Sequence, residues 1–281
     1  MARLFHCGRY VLDVSRPIVM GIVNLTDDSF SGDGLAANVS AAVAHALRLV
    51  SEGAAILDLG AESSRPGANP VSVEQECQRL LPVIKYLSDC GVPLSVDTVK
   101  PEVMRVVLDA GVDMINDING MRAPGALEML AASQAGICLM HMQGDPGTMQ
   151  ADPHYSDVVA DVAAFLTQRV QAANAVGILS ERIAVDPGFG FGKTLEHNLT
   201  LLRRLDQLDQ AEVTMMVGMS RKSMLGTLTG RAADARVYAG LAAHLLAIQH
   251  GARIVRTHDV AATVDAIAIF NALDAAIDPQ A

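Results

Sequence analysis

Glu52-Gly53 followed by AAILDLG (54–60), and Cys90-Gly91 followed by VPLSVD (92–97), carry the pattern that decides the fold. In each, a stretch of helical spacing closes on Gly, a short apolar run follows, and the run ends on a small or polar residue. The unit recurs at Ala110-Gly111 with VDMIND (112–117), Ala135-Gly136 with ICLMH (137–141), Gly177 with ERIAVD (181–186) and His250-Gly251 with ARIVRTH (252–258). Gly suits the left-handed position that closes a helix. Apolar runs this short suit parallel strands covered on both faces. IVMGIVN (18–24) and EVTMMVG (212–218) extend the series without the preceding Gly. Eight strands therefore alternate with helix-length segments such as 158–176 and 234–249. That alternation predicts a parallel sheet, and eight units favour a closed (β/α)8 TIM barrel over an open doubly wound sheet.

The 281 residues suit one such barrel, since (β/α)8 domains run to about 250 residues. Residues 1–17 read as an N-terminal extension and 274–281 as a fraying tail. The chain is 51% hydrophobic and 19% charged, which favours a packed core over disorder. A net charge of −10, 4% aromatics and no Trp argue against nucleic-acid binding, which needs a basic face or stacking rings. No apolar run reaches the roughly 20 residues of a membrane span, and no signal-peptide core precedes Pro17, so a cytoplasmic location is expected. Cys7, Cys77, Cys90 and Cys138 form no Cys-x-x-Cys pair, which points to reduced thiols rather than a zinc site. The Asn-x-Ser/Thr triplets at Asn24, Asn38 and Asn198 read as chance matches.

The strands end at Asn24, Gly60, Asp97, Asn116-Asp117, His141, Asp186, Gly218 and Arg256 to His258. Barrel active sites lie where strand C-termini open onto one face, so these side chains should converge on one mouth. An Asp after a strand is often a helix N-cap instead. Asp117 is left as a structural residue; Asp186 is less readily read as a cap, because Pro187-Gly188 follow it. Three loops, TDDSFSGDG (26–34), ESSRPGANP (62–70) and DPGFGFGKT (186–194), have the Gly, Ser and Pro content of substrate-covering segments. MSRKS (219–223) places Arg221 and Lys222 after the seventh strand, where barrels often hold phosphate. Two nucleotide motifs fail. A P-loop ending in Gly192-Lys193-Thr194 needs Gly at 187, where Pro187 stands. A dinucleotide fingerprint starting at Gly188 needs Gly at 193, where Lys193 stands.

VMGIVNLTDDSFS (19–31), GAESSRPG (60–67), SVDT (95–98), INDI (115–118), LMHMQGDP (139–146), DPGFGFGK (186–193), GMSRKS (218–223) and RTHD (256–259) resemble dihydropteroate synthases, in order and at matching spacing. The sequence departs from the family at Asp27, usually Pro, in the order Ser31-Gly32-Asp33-Gly34, at Ala61, commonly Gly, and at Ser64, commonly Thr. The resemblance implies a homodimeric pterin-binding barrel of folate synthesis, a transferase. It would displace pyrophosphate from 6-hydroxymethyl-7,8-dihydropterin diphosphate with p-aminobenzoate, and sulfonamides would compete with the latter.

Carried over residue by residue, the resemblance assigns Asp97, Asn116, Met140, Asp186, Gly218, Lys222 and Arg256 to the pterin. Asn24, Arg65, Arg256 and His258 are assigned to pyrophosphate, with Asn24 as the protein ligand of Mg2+. Phe30, Ser64, Pro66, Phe191, Lys222 and Ser223 are assigned to p-aminobenzoate. Asp97, Lys222, Arg65 and Arg256 would carry the catalysis. A corrinoid-dependent methyltransferase would share the pterin carboxylates and Asn116 but would not need Arg65 or Arg221-Lys222. A catalytically silent paralogue is supported only by the altered first loop.

Overall fold

A computed structural model describes residues 3–25, 35–63, 70–208 and 212–277. Its centre is a closed barrel of eight parallel strands: β3 (Ile18–Asn24), β4 (Ile56–Gly60), β5 (Leu94–Asp97), β6 (Met114–Asp117), β7 (Gly136–Met140), β8 (Ile183–Asp186), β9 (Thr214–Val217) and β10 (Ile254–Thr257), with β10 closing onto β3. The TIM-barrel expectation is met. The helices are α1 (Leu35–Ser51), α2 (Val73–Leu87), α3 (Pro101–Asp109), α4 (Ala126–Ala131), α5 (Val158–Ala175), α6 (Leu195–Arg203), α7 (Ser223–Thr229), α8 (Val237–Gln249) and α9 (Val260–Ile277). The last helix runs to Ile277, so the first part of the expected fraying tail is helical.

Gly53, Gly91, Gly111, Gly177 and Gly251 all have positive φ, between 87° and 103°, which is why Gly punctuates the repeat. Gly136 is the exception. It opens β7 itself, and a Cβ there would stand 3.1 Å from the Phe5 ring and the His6 carbonyl. What made it look like a helix-closing Gly is close packing by a second element.

That element lies in the N-terminal extension, where β1 (Leu4–Cys7) and β2 (Tyr10–Asp13) form an antiparallel hairpin. Phe5, Cys7 and Val14 pack onto Met20, Ile56, Met114, Cys138, Ala184, Met216 and Ile254, which are inward-facing residues of seven barrel strands. The hairpin thus floors the barrel. Asp113 fastens it: its carboxylate accepts from Arg9 Nε (3.1 Å) and from the Leu94 backbone N–H (3.0 Å). The outward strand residues, such as Val23, Leu57, Val96, Ile137, Val185 and Val255, form the larger core beneath the helices. All four cysteines are free. No helix among the described residues is long and apolar enough to cross a membrane.

Phe5→Ala empties the centre of the floor. Truncating a buried Phe costs roughly 3–5 kcal/mol, so thermal melting should fall clearly. Ligand binding at the far end should be unchanged at temperatures where the variant is folded. An unaltered melting temperature would show that the hairpin does not seal the core.

Candidate active site

Side chains alternate along a strand, and the alternation that sends Ile56, Met114, Ala184 and Ile254 inward also sends Asp58, Asn116, Asp186 and Arg256 inward one step higher. The interior changes there from apolar to charged. Register keeps these residues close: Asn24 pairs with Gly60, Gly60 with Asp97, Asp97 with Asn116, and Met140 with Asp186. Arg256 donates from Nε to Asp58 (2.6 Å) and from Nη2 to Asp97 (3.1 Å). Asn116 donates from Nδ2 to the same Asp58 oxygen (3.2 Å). Gly218, just past β9, packs against Arg256: a Cβ there would lie 3.6 Å from the Arg256 side chain, an ordinary contact distance.

The loop after β8 is bound tightly to the loop after β7. Asp186 accepts from the Gly188 N–H (2.7 Å). Gly188, at φ +68°, passes so close to His141 that a Cβ would fall 2.0 Å from its carbonyl oxygen. Lys193 is buried, and its ammonium donates to His141 Nδ1 (2.9 Å) and to the carbonyls of Gly188 (3.0 Å) and Phe191 (2.9 Å). The residue that imitated a P-loop lysine therefore ties two loops together. The turn ends where Thr194 caps α6 by accepting from the His197 N–H (3.1 Å). Phe191 packs onto an apolar patch of Ile118, Met140, Met142 and Met149, of which the sequence reading named only Met140.

Lys222 reaches this loop from β9. Its ammonium donates to the Phe189 carbonyl and lies 4.5 Å from the centre of the Phe191 ring. Ser223 follows as the first, exposed residue of α7. Arg221, expected beside Lys222 at the mouth, turns outward instead and donates to Asp259 (2.8 Å). It lines a separate cavity of about 480 Å3 with His45, Arg48, Glu52 and His258, a space that none of the inward carboxylates reaches. The backbone of this segment is held by residues the sequence reading passed over. Arg236 donates to the carbonyls of Arg221 (2.9 Å) and Lys222 (3.3 Å), crossing Gly226 where any side chain would collide with its guanidinium. Buried His244 accepts from the Met219 N–H (3.3 Å), and burial pushes its pKa down to about 4, which keeps it a neutral acceptor.

Asn24 and His258 meet at 3.4 Å, between Asn24 Nδ2 and His258 Nε2, and the Ser220 hydroxyl lies 3.0 Å from His258 Nδ1. Asp117 is structural as expected, accepting from the N–H groups of Asn119 and Met121 (both 2.7 Å). Phe30, Ser64, Arg65 and Pro66 lie outside the described residues. The stem of the second loop is described: Glu62 accepts from the Val71 N–H (3.0 Å), and Lys100 bridges Glu62 and buried Glu76.

Burial dominates the electrostatics. It pushes the carboxyls of Asp97 and Asp186 above the usual range, with Arg256 opposing the shift at Asp97 and Lys222 opposing it at Asp186. It lowers Lys222 to about 8, against the pull of Asp186. Burial also disfavours the charge on Arg256, but Asp58 and Asp97 more than offset it, so the guanidinium stays protonated. The mouth thus offers carboxylate acceptors, a fixed guanidinium, and a carboxyl and an amine near neutrality, Asp97 raised to about 7 and Lys222 lowered to about 8. That set suits a flat heterocycle with N–H donors on one edge and an anionic substituent.

Residues 20–258 match the family model described as "Pterin binding enzyme". The chain is 48% identical to the dihydropteroate synthase of Neisseria meningitidis serogroup C, covering 97% of this chain and 99% of that one. Among solved structures it resembles the Xanthomonas albilineans dihydropteroate synthase with 4-aminobenzoic acid (TM-score 0.92, 49% identity, 98% and 99% of the two chains). It also resembles the Burkholderia cenocepacia enzyme complexed with 7,8-dihydropteroate (TM-score 0.91, 46% identity, 99% of each chain). A third is the Yersinia pestis enzyme with a sulfonamide drug complex (TM-score 0.91, 44% identity, 97% and 99%). With fold, site and full-length similarity in agreement, the chain belongs to the pterin-binding enzyme family, as a transferase of the dihydropteroate synthase type.

Proposed function

We propose that this site joins 6-hydroxymethyl-7,8-dihydropterin diphosphate to p-aminobenzoate by a dissociative displacement in folate synthesis. The observation that carries the reading is the convergence of Asp97, Asn116, Asp186, Lys222 and Arg256 on one barrel mouth. The ligands of the Xanthomonas and Burkholderia relatives support it.

The carbon–oxygen bond of the hydroxymethyl group breaks first, and its electron pair leaves with pyrophosphate. The conjugated pterin spreads the resulting positive charge. The amine lone pair of p-aminobenzoate then forms the carbon–nitrogen bond, and the proton the amine gives up passes to solvent water. The protein's part is to stabilise charge rather than to supply a covalent nucleophile. Asp186 accepts from the 2-amino group and the adjacent ring N–H, a charge-assisted pair. Asn116 meets the mixed donor and acceptor edge. Asp97 faces the developing cation, Lys222 donates to the acceptor side of the ring, and Met140 and Gly218 flank it. Arg256 stacks on the pterin and reaches the diphosphate.

Arg65, Asn24 and His258 take the departing anion. By the family resemblance Phe30, Ser64, Pro66, Phe191 and Ser223 take p-aminobenzoate, and sulfonamides compete with it, as the ligand of the Yersinia relative supports. Mg2+ would be held through one protein oxygen, that of the Asn24 amide at the C-terminal end of β3, with water and diphosphate as its other ligands. Bound there, it would neutralise charge on the leaving group. Exposed Tyr238 and Leu246 on α8 and Ile269 and Leu273 on α9 support pairing with a second copy as a homodimer. We place the enzyme in the cytoplasm, as the sequence pattern suggests.

Asp186→Asn should fold and yet bind the pterin diphosphate more weakly. The amide turns one acceptor into a donor facing the ligand's own donors, and a hydrogen bond to a charged group is worth roughly 1.5–3 kcal/mol. Calorimetry reads this directly, and unchanged affinity would remove Asp186 as the anchor.

The pH profile of kcat/KM for the pterin should be bell-shaped. Asp97, raised by burial to about 7, gains a proton as pH falls through that value and loses its attraction for the cation. Lys222, lowered to about 8, loses its donor charge as pH rises through that value. A profile flat from the acid to the alkaline side would contradict both roles.

A dissociative path also requires slow pyrophosphate release from the pterin diphosphate when p-aminobenzoate is withheld. EDTA should stop that release and added Mg2+ restore it. Full turnover in EDTA would remove the metal from the scheme.

A further inference from the structure

Within ILDLG (56–60) Asp58 sits inside an apolar run, and nothing in the run marks it as functional. In the structure it is fully buried. It lies one register step below the mouth: Asp58 pairs with Ser95, and Gly60 pairs with Asp97. Its Oδ2 accepts from both Arg256 Nε (2.6 Å) and Asn116 Nδ2 (3.2 Å), while its Oδ1 has no hydrogen-bond partner among the described residues. In the barrel order β4 stands two strands from β10 and two from β6, so Asp58 reaches one of its partners on each side. A sealed carboxylate with one idle oxygen is an unfavourable way to fill a core. Its position is intelligible if it acts on the two residues it holds.

We propose that Asp58 is a positioning residue for the pterin reaction: from beneath the mouth it fixes the plane of the Arg256 guanidinium and the orientation of the Asn116 amide. A carboxylate only accepts. It therefore obliges Asn116 to turn its NH2 group downward, which leaves the carbonyl oxygen and one N–H in set places for the ligand. On Arg256, Asp58 holds Nε and Asp97 holds Nη2, and no described residue pairs with Nη1. Nη1 is left for the substrate in a plane set before binding. Asp58 also acts on Asp97 through charge. Burial raises Asp97, Arg256 opposes this, and Asp58 adds to it, with smaller contributions in the same direction from Asp117 and Glu76. The proposal rests on the pterin reading above.

Asp58→Asn keeps the shape and removes the charge. Folding is checked by circular dichroism. A misplacement of about 1 Å in a catalytic group can cost about 100-fold, and a loss of that order is expected in kcat/KM for the pterin diphosphate. KM for p-aminobenzoate should stay unchanged, and the acid limb of the pH profile should move to lower pH, because Asp97 loses a like-charged neighbour. A folded variant with unaltered kinetics and an unmoved acid limb overturns the proposal, even if it melts earlier, since a merely structural carboxylate would behave in that way.

Should Asp58→Asn fail to fold, arginine side-chain NMR on the unmodified enzyme carries the test. The Arg256 Nε–H, assigned by its loss in Arg256→Lys, should be protected from exchange before the pterin is added. An exchanging Nε–H overturns the proposal. Asp186→Asn separates the two readings. Loss of activity there with none in Asp58→Asn rejects Asp58 and keeps the pterin site. Failure of the unmodified enzyme to release pyrophosphate from the pterin diphosphate in the presence of p-aminobenzoate rejects the site, and this proposal with it.

Discussion

Closing eight parallel strands on themselves forces every second residue of each strand into an interior that is dry at one end and must admit a ligand at the other. The chain meets that constraint by changing chemistry along the barrel axis. Met20, Ile56, Met114, Cys138, Met216 and Ile254 fill the lower layer, and the hairpin residues Phe5 and Cys7 close it. One pleat higher the same strands carry Asp58, Asn116, Asp186 and Arg256. The charged layer stands on that apolar one, and burial is the largest influence on Asp97, Asp186 and Lys222.

Charge pairing across the barrel makes such burial tolerable. Arg256 comes from β10 and is held by carboxylates of β4 and β5. Lys222, from the β9 end, reaches the loop that follows β8. Arg256 is thus fixed by strands other than its own, and Lys222 by the loop after β8, so both cations tie separate parts of the mouth together. Fixed dipoles and charges need no reorganisation when charge develops on a substrate, which is how a preorganised site lowers a barrier.

The loops that complete the mouth are held by small structural devices. Gly188 allows contact that no side chain would permit, Lys193 gathers carbonyls from two loops, and Arg236 crosses Gly226 to hold the Arg221-Lys222 backbone. Outward-turned Arg221 follows from this. Its backbone lies in the left-handed region at φ 60°, and its side chain finds Asp259 rather than the mouth.

The sequence by itself determined the eight strands, their order and the polar residues at their C-termini. Those are local facts: hydrophobic period, helix-closing Gly and the residue that ends each run are all read within a few positions. Family resemblance then attached roles to Asn24, Asp97, Asn116, Asp186, Lys222 and Arg256. Only the tertiary structure decided that residues 1–17 form a floor, that Gly136 is a packing contact, that Lys193 ties loops and that Arg221 turns away. It also brought Asp58 to Arg256 across 198 positions of chain. In one dimension Asp58 is a lone acid in an apolar run, the kind of residue that periodicity treats as an interruption. Its partners exist only once the barrel closes, because the direction of a side chain is set locally but what it meets is set by strands far away in sequence.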